Sequence, residues 1–446
     1  MKSGATYKVL ILDADLVPAL TVARSLAGKG CRVDIASHVE RPLGGYSRVI
    51  SAVHRYPDPL ASPADFVDWL VVHTSENCYD LVVPVTERTL VPLSRRRGEL
   101  AGLRVAMASE KSLDLVLDKS KTMELAQQLG VPVPRGVTVG TLDELAGQQD
   151  ALRYPVVMKP ARSIGSRGSG ASHLQVSYAF DAAGLVAGCG HALRFGHVVL
   201  QEYFSGEGVG IELIANQGEI RYAFQHRRLH EVPLTGGGSS LRESEALNER
   251  LLDASARLMR ALGWHGVAMV EFKLDRDSGE FCLMEINGRF WGSLPLAVAA
   301  GADFPAMLLE MELKGDVGDW ALYREGIYCR LLSRDLMWYE AVLRGGGDNR
   351  LVALPSRREN IRHLALLFHP RHRLDVQSLS DPRPGVVDIA RILRKYVERL
   401  QSLLEQRRFQ AKQRRAWRRG EVAEKLAQAD SMLFLCYGNI NRSALA

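Results

Sequence analysis

The sequence predicts an α/β fold in which a parallel-sheet domain is followed by a mixed α+β region. Three observations carry this. Lys8–Ala14 is an apolar run of strand length, a helical stretch runs from Val17 to Lys29, and after Gly30 a second strand begins at Arg32–Ala36; this is a βαβ start. Strand-like segments recur at 155–160, 198–203, 211–214 and 220–224. Val270–Lys273 and Phe281–Met284 then flank a turn at Asp277-Ser278-Gly279 and read as a hairpin.

Composition sets the frame for these elements. A chain of 446 residues holds roughly two to four structural units. Its 46% apolar and 24% charged residues are ordinary for a soluble globular protein. No apolar window reaches membrane-spanning length, and the start of the chain has no signal-cleavage pattern. Six cysteines lie far apart with no CxxC pair, which fits free thiols in a cytoplasmic setting. The net charge of +6 is uneven: Arg407, Arg408, Lys412, Arg414, Arg415, Arg418 and Arg419 crowd one late segment. With only Phe409 and Trp417 beside them, these cations read as the solvated face of a linker helix rather than a nucleic-acid surface.

In the first domain, residues 1–110, the turn after the first strand lacks GxGxxG, so a dinucleotide site is not supported. Leu81–Val85 places Thr86 and Glu87 at a strand's carboxyl end, where open α/β sheets bind ligands. A helix opens at Asp118-Lys119 and stops at Gly130. The strand Pro155–Pro160 delivers Lys159 to a loop containing Gly165, Ser166 and Gly168. Small residues let backbone N–H groups close on phosphate oxygens, and lysine adds a point charge; Lys119 offers a second. The strand end Gln201-Glu202-Tyr203-Phe204 could offer backbone groups to an adenine, and Glu207 could accept ribose hydroxyls. A helix is expected from about Glu243 to Leu262.

The hairpin that follows sets Glu271, Glu285 and Asn287 near one another at one end of a sheet. Strand-end carboxylates are, taken alone, more often solvated or salt-bridged than metal-bound. Three oxygen donors in a small volume nevertheless suit Mg²⁺ (or Mn²⁺), which takes one or two carboxylates and completes its shell with phosphate oxygens.

Taken in order, these segments resemble the ATP-grasp superfamily, in particular its carbamoyl-phosphate-synthetase-like carboxylate–amine ligases. The resemblance rests on Asp118-Lys119, Pro155–Pro160 with its Gly/Ser loop, Gln201–Tyr203, Trp264–Phe272 and Met284–Ser293, and covers roughly residues 5–310. It implies a Rossmann-like pre-ATP-grasp domain (1–110), a two-lobed ATP-grasp domain (111–312), a C-terminal extension of the ligase (313–386) and a basic helical linker (387–430). ATP and Mg²⁺ are the implied cofactors, with a small-molecule carboxylate and an amine as substrates. Lys119 and Lys159 would hold the ATP phosphates, and Glu202 and Tyr203 would meet adenine. Glu271, Glu285 and Asn287 would hold the metal, and Arg289 would face the transferred phosphate or the substrate carboxylate. The implied chemistry is attack of a carboxylate on the γ-phosphate, then capture of the acylphosphate by an amine. Arg227 and Arg228 are candidates for stabilising that intermediate, and Thr235–Ser240 for a mobile loop beside the substrate. One departure stands out: the ribose acid usually follows the hinge glycine by two residues, where this chain has Gly208, with Glu207 before it. An ATP-grasp carboxylase or phosphotransferase, and a non-catalytic nucleotide-binding module, remain alternatives, as does homo-oligomerisation.

The last residues, 431–446, carry a second pattern. Met432–Leu435 is a strand running into Cys436-x5-Arg442, with Asn439 and Ser443 in the loop. Converging N–H groups and an arginine around a cysteine suit a phosphate-binding thiolate. The segment resembles the start of low-molecular-weight protein tyrosine phosphatases, with Asn441 in place of that family's second cysteine. Because that family's general acid and most of its sheet lie downstream, the expectation is a truncated phosphatase start without phosphatase activity of its own.

Overall fold

The computed structural model describes residues 6–428 apart from 149–150, 162–163, 168–169, 174–175, 346–349 and 352–353. The chain divides into a compact unit Met1–Val387 and a second unit Asp388–Ala446.

The first unit opens with four parallel strands, β1 (Lys8–Ile11), β2 (Arg32–Ser37), β3 (Ile50–Arg55) and β4 (Leu81–Val83), in the order β3-β2-β1-β4. Val9, Leu10 and Ile11 are buried on both faces of β1, which explains a continuous apolar run where a half-exposed strand would alternate. Asp13, buried and at φ 57°, ties the carboxyl ends of β1 and β4 together. It accepts hydrogen bonds from Thr86 N (2.9 Å), Thr89 Oγ1 (2.7 Å) and Arg88 Nη2 (2.9 Å). Glu87 is thereby fixed at the sheet end, opening the helix Glu87–Arg95.

Next come β5 (Gly136–Val139), β6 (Val156–Pro160), the hairpin β7 (Ile164–Arg167) and β8 (Gly170–His173), β9 (Ser177–Ala179) and β10 (Val198–Glu202). Strands β5-β10-β6-β9 form an antiparallel sheet packed on the helix Ala182–Ala192 through Val156, Met158, Leu185, Cys189 and Leu200.

The larger sheet is built from β11 (Glu207–Asn216), β12 (Glu219–Val232), β13 (Gly238–Glu245), β14 (Gly266–Leu274), β15 (Phe281–Asn287), β16 (Tyr328–Arg330) and β17 (His372–Leu374). Its order is β15-β14-β11-β12-β13-β16-β17, antiparallel except for the parallel β16–β17 pair. One face packs on the helix Glu249–Leu262. Asn248 caps that helix by accepting from Arg250 N at 3.0 Å, and Gly263 closes it in the left-handed region at φ 55°. Leu251, Leu258, Met259 and Leu262 are buried there, each stabilising by roughly 1.5–3 kcal/mol. On the other face Trp291, Leu294, Phe304 and Met307 share one core with Val9, Ile11, Val22 and Leu26 of the first sheet. The parallel domain is thus held against the larger sheet by common side chains.

Two expectations change. The helix expected from Glu243 begins only at Glu249, because Gly238–Glu245 is strand β13, paired on both sides. Its charges look helix-compatible in sequence but have cross-sheet partners: Glu243 meets Arg227 at 2.7 Å and Arg242 meets Asp375 at 2.5 Å. Only Thr235–Gly237 of the expected loop connects strands, while Gly238–Ser240 are in the sheet. The segment expected as a C-terminal extension, 313–386, supplies β16 and β17 to the large sheet.

The helix Pro382–Arg418 runs from the first unit into the second, where the short helix Glu421–Ala427 follows. Among the described residues no single helix is long and apolar enough to cross a membrane. Cys436, Asn439, Arg442 and Ser443 lie outside the described residues.

Candidate active site

Glu271 on β14 and Glu285 on β15 are direct cross-strand partners. Opposed positions bring side chains within about 5 Å of each other. Asn287, two residues past Glu285 and so on the same face, donates from Nδ2 to Glu271 Oε1 (2.9 Å) and Glu285 Oε1 (3.2 Å). Period-two geometry therefore joins the three donors named from the sequence.

Two acids so close need cations. Arg228 on β12 reaches Glu271 at 2.5 Å, crossing over β11, and also pairs with Glu231 at 3.2 Å. It can cross because β11 carries glycine at 208: a Cβ there would lie 2.9 Å from Arg228 Cδ. The residue that departs from the family's ribose-acid pattern thus has a steric role. Lys119, at the start of the helix Lys119–Gln128, stands 3.7 Å from Glu285. The two carboxyls consequently differ. Burial, and then the neighbouring Glu285, push Glu271 above the usual glutamate range despite Arg228. Burial acts the same way on Glu285, but Lys119 and Lys159 outweigh it and hold that carboxyl low.

These residues line a cavity of about 890 Å³ that extends between the smaller and larger sheets to the carboxyl end of the parallel sheet. Lys159 enters it from β6, with burial pushing its ammonium down to about 8. Beside it Lys273 donates to Phe204 O (3.3 Å) and lies 4.7 Å from the centre of the Tyr203 ring. Glu202 and Tyr203 line this end, but their backbone N–H groups already donate to Arg135 O (2.8 Å) and Pro155 O (2.9 Å). Gly165 and Ser166 belong to β7 of the hairpin; Gly168 falls outside the described residues. At the opposite end Arg289 pairs with Glu87 at 3.2 Å, so the parallel domain supplies part of the wall.

Two expected residues are not brought in. Arg227 is paired with Glu243 and Glu245 away from the cavity wall, because neighbours along a strand face opposite ways. Glu207 pairs with Arg276 at 2.5 Å and does not line the cavity, where Glu231 stands instead. Sequence reasoning missed Glu231, Lys273 and Arg334. Lys273 carried a signal, being two residues past Glu271 on one strand; Glu231 did not, because register shifts interrupt β12 after Arg228.

Among the described residues no group of three or more His, Cys, Asp or Glu could hold a metal. Two carboxylates and an amide oxygen beside an open cavity are nonetheless a donor set that suits Mg²⁺, which needs few protein ligands when phosphate and water complete its shell. Rotation of the Asn287 amide would present Oδ1 where Nδ2 now lies. The elevated Glu271 also fits, since a cation would offset the burial and the neighbouring Glu285 that raise it.

Known proteins share parts of this sequence and its fold. Residues 194–333 match the family model described as ATP-grasp in the biosynthetic pathway with Ter operon. The chain is 26% identical over 212 residues to the carbamoyl phosphate synthase large chain of Methanothermobacter thermautotrophicus, covering 46% of this chain and 20% of the relative. It is 23% identical over 207 residues to the arginine-specific large chain of Bacillus subtilis, covering 44% and 19%. The chain spans about a fifth of the length of these curated relatives. Among solved structures, the L-amino acid ligase from Bacillus licheniformis aligns with a TM-score of 0.55 at 18% identity, covering 70% of this chain and 75% of that one. The ADP complex of N5-carboxyaminoimidazole synthetase from Staphylococcus aureus aligns at 0.59 and 14%, covering 76% and 87%. The biotin carboxylase domain of Hydrogenobacter thermophilus 2-oxoglutarate carboxylase, solved with MgADP and bicarbonate, aligns at 0.57 and 14%, covering 73% and 74%. Residues 194–333 thus match an ATP-grasp family, and the fold around them is similar to that of these structures.

Proposed function

We propose that this protein is a Mg²⁺- and ATP-dependent ligase that activates a small-molecule carboxylate and joins it to an amine. The observation that carries the reading is the cross-strand pair Glu271–Glu285 bridged by Asn287, in one cavity with Lys159 and Arg289. Bound Mg-ATP supplies the phosphoryl group that converts the carboxylate into an acylphosphate open to an amine.

The chain's own part is positioning and charge balance. Lys159 and Lys119 hold phosphate oxygens. Glu271, Glu285 and Asn287 hold the cation. Arg289, at the end facing Glu87, meets the reacting carboxylate, and Arg228 offsets part of the burial that raises Glu271. Tyr203 and Lys273 close the end where an adenine would lie. Five described cysteines are free thiols, which supports a reducing, cytoplasmic setting. The proposed phosphatase start at Cys436–Ser443 is carried by the sequence alone.

A carboxylase is the second reading, supported by the fold shared with a biotin carboxylase domain. One experiment separates the two: ADP release from Mg-ATP by the purified protein, across pooled carboxylates with and without amines. Release that requires both pools supports the ligase. Release with bicarbonate alone favours the carboxylase, and tight Mg-ATP binding without release favours a non-catalytic module.

Lys159 adds a pH signature. Because its ammonium titrates near 8, ADP affinity is expected to fall as pH rises from 7 to about 9.5, by up to about tenfold per unit above the pKa. The sign follows from the charge: only the protonated amine attracts phosphate. Lys159→Arg should flatten the profile, checked by calorimetric titration with ADP; an equally steep profile in that variant would remove Lys159 from the phosphate site.

A further inference from the structure

Three of the four arginines lining the cavity have anionic partners. Arg228 is paired with Glu271 and Glu231, Arg289 with Glu87, and Arg88 with Asp13 and Asp15. Arg334 differs. It lines the same cavity from the first turn of the helix Leu332–Leu343, and among the described residues it has neither a hydrogen bond nor an ion pair. Burial by the surrounding wall, with Arg242 nearby, pushes its pKa below the usual arginine value, and no acid offsets this. Its neighbour across the wall is Gly238, where a Cβ would sit 1.6 Å from Arg334 Nη1. A side chain at 238 would displace the guanidinium, so glycine there leaves room for Nη1 beside the backbone.

The position relative to the acid pair can be bounded. One guanidinium, that of Arg228, touches Glu271 Oε2 at 2.5 Å with one nitrogen and Gly237 O at 3.2 Å with another. Gly238 is the next residue, one peptide unit of about 3.8 Å further, so Arg334 stands at most on the order of 10 Å from the acid pair. That is within reach of the far end of a small substrate whose other end lies at the acid pair.

We infer that Arg334 is a specificity residue that binds a substrate carboxylate other than the one being activated. This rests on the ligase reading. A guanidinium with no acid partner, in a cavity where the other arginines are matched, is complementary to an anion brought by the ligand, and its planar fork suits a carboxylate. That carboxylate has two sources: the far end of a diacid whose near end is activated, or the carboxylate of an amino-acid acceptor.

The test uses the full chain with Mg-ATP and two probe series. Succinate, glutarate, adipate and pimelate are compared with butyrate through heptanoate as the acid. Amino acids are compared with their amides as the acceptor. In the wild type, KM for the charged members of one series is expected to be about tenfold or more below that of their uncharged counterparts. Arg334→Gln should abolish that advantage while kcat changes less than about threefold, and Arg334→Lys should recover part of it. The responding series identifies the source. Equal KM for charged and uncharged members in both series, or an advantage that survives in Arg334→Gln, overturns the inference. Turnover of uncharged members without preference would do so while leaving the ligase reading intact. If no probe turns over, calorimetric binding of the same compounds to the Mg-ADP-loaded protein decides: charged members binding no more tightly to wild type than to Arg334→Gln overturn it. Arg334 holds no structural bond, so the variant's melting temperature should match wild type and exclude misfolding as the cause.

Discussion

Glu285→Ala is expected to lower ADP release by about a thousandfold or more while the protein stays folded. Glu285 occupies the centre of the site's charge arrangement. Its carboxylate pairs with Lys119, lowers the cost of keeping Lys159 charged, and shares the Asn287 amide with Glu271. Removing it leaves one carboxylate for the cation and places two ammonium groups together without the acid between them. Of the two acids it is also the one held ionised, whereas Glu271 is raised. Glu285→Gln keeps the shape and removes the charge, so it should lose nearly as much. Steady-state ADP release at saturating Mg-ATP measures both variants. Retention of more than about a tenth of wild-type turnover by either would take Glu285 out of the metal site.

The amount of this site visible in the sequence follows from its physical causes. Glu271, Glu285 and Asn287 were legible because strand periodicity and a short hairpin turn place them by local rules alone. The βαβ start was legible for the same reason, since the buried β1 is one uninterrupted apolar run. What local rules do not reach is pairing between distant segments. Arg227 and Arg228 look equivalent along the chain, yet alternation sends one to Glu243 and the other over Gly208 to Glu271. Gly208 read as a departure from a ligand pattern, whereas its function is to let a side chain cross. Glu243 was read into a helix because its partner, Arg227, lies on another strand. Arg334 carries no motif and is notable only because the folded cavity leaves it without an acid.

Arg228→Met carries the second large effect, on stability and catalysis together. Arg228 is largely buried, and its partner Glu271 is already pushed above the usual glutamate range by burial and by Glu285. Removing one member of such a pair leaves a buried carboxylate without its counterion and should destabilise the Mg²⁺-free protein by about 3 kcal/mol at neutral pH. The pH dependence has a definite sign. Arg228 lowers the Glu271 pKa, so its loss raises that pKa further. A group with a raised folded-state pKa contributes stability that is present below its unfolded value, near 4.5, and lost as pH rises through the folded value. The deficit of the variant relative to wild type should therefore be small at about pH 4.5 and grow toward pH 8. Catalysis moves correspondingly: in the proposed role Glu271 must be ionised to hold the cation, so the acid limb of the rate profile shifts to higher pH. Arg228→Lys retains the charge and should restore part of both effects. Urea unfolding without Mg²⁺ across this pH range, with pH profiles of ADP release, gives the two readings. A deficit independent of pH would mean that Arg228 acts by packing across Gly208, and an unmoved acid limb would mean that Glu271 titrates independently of it.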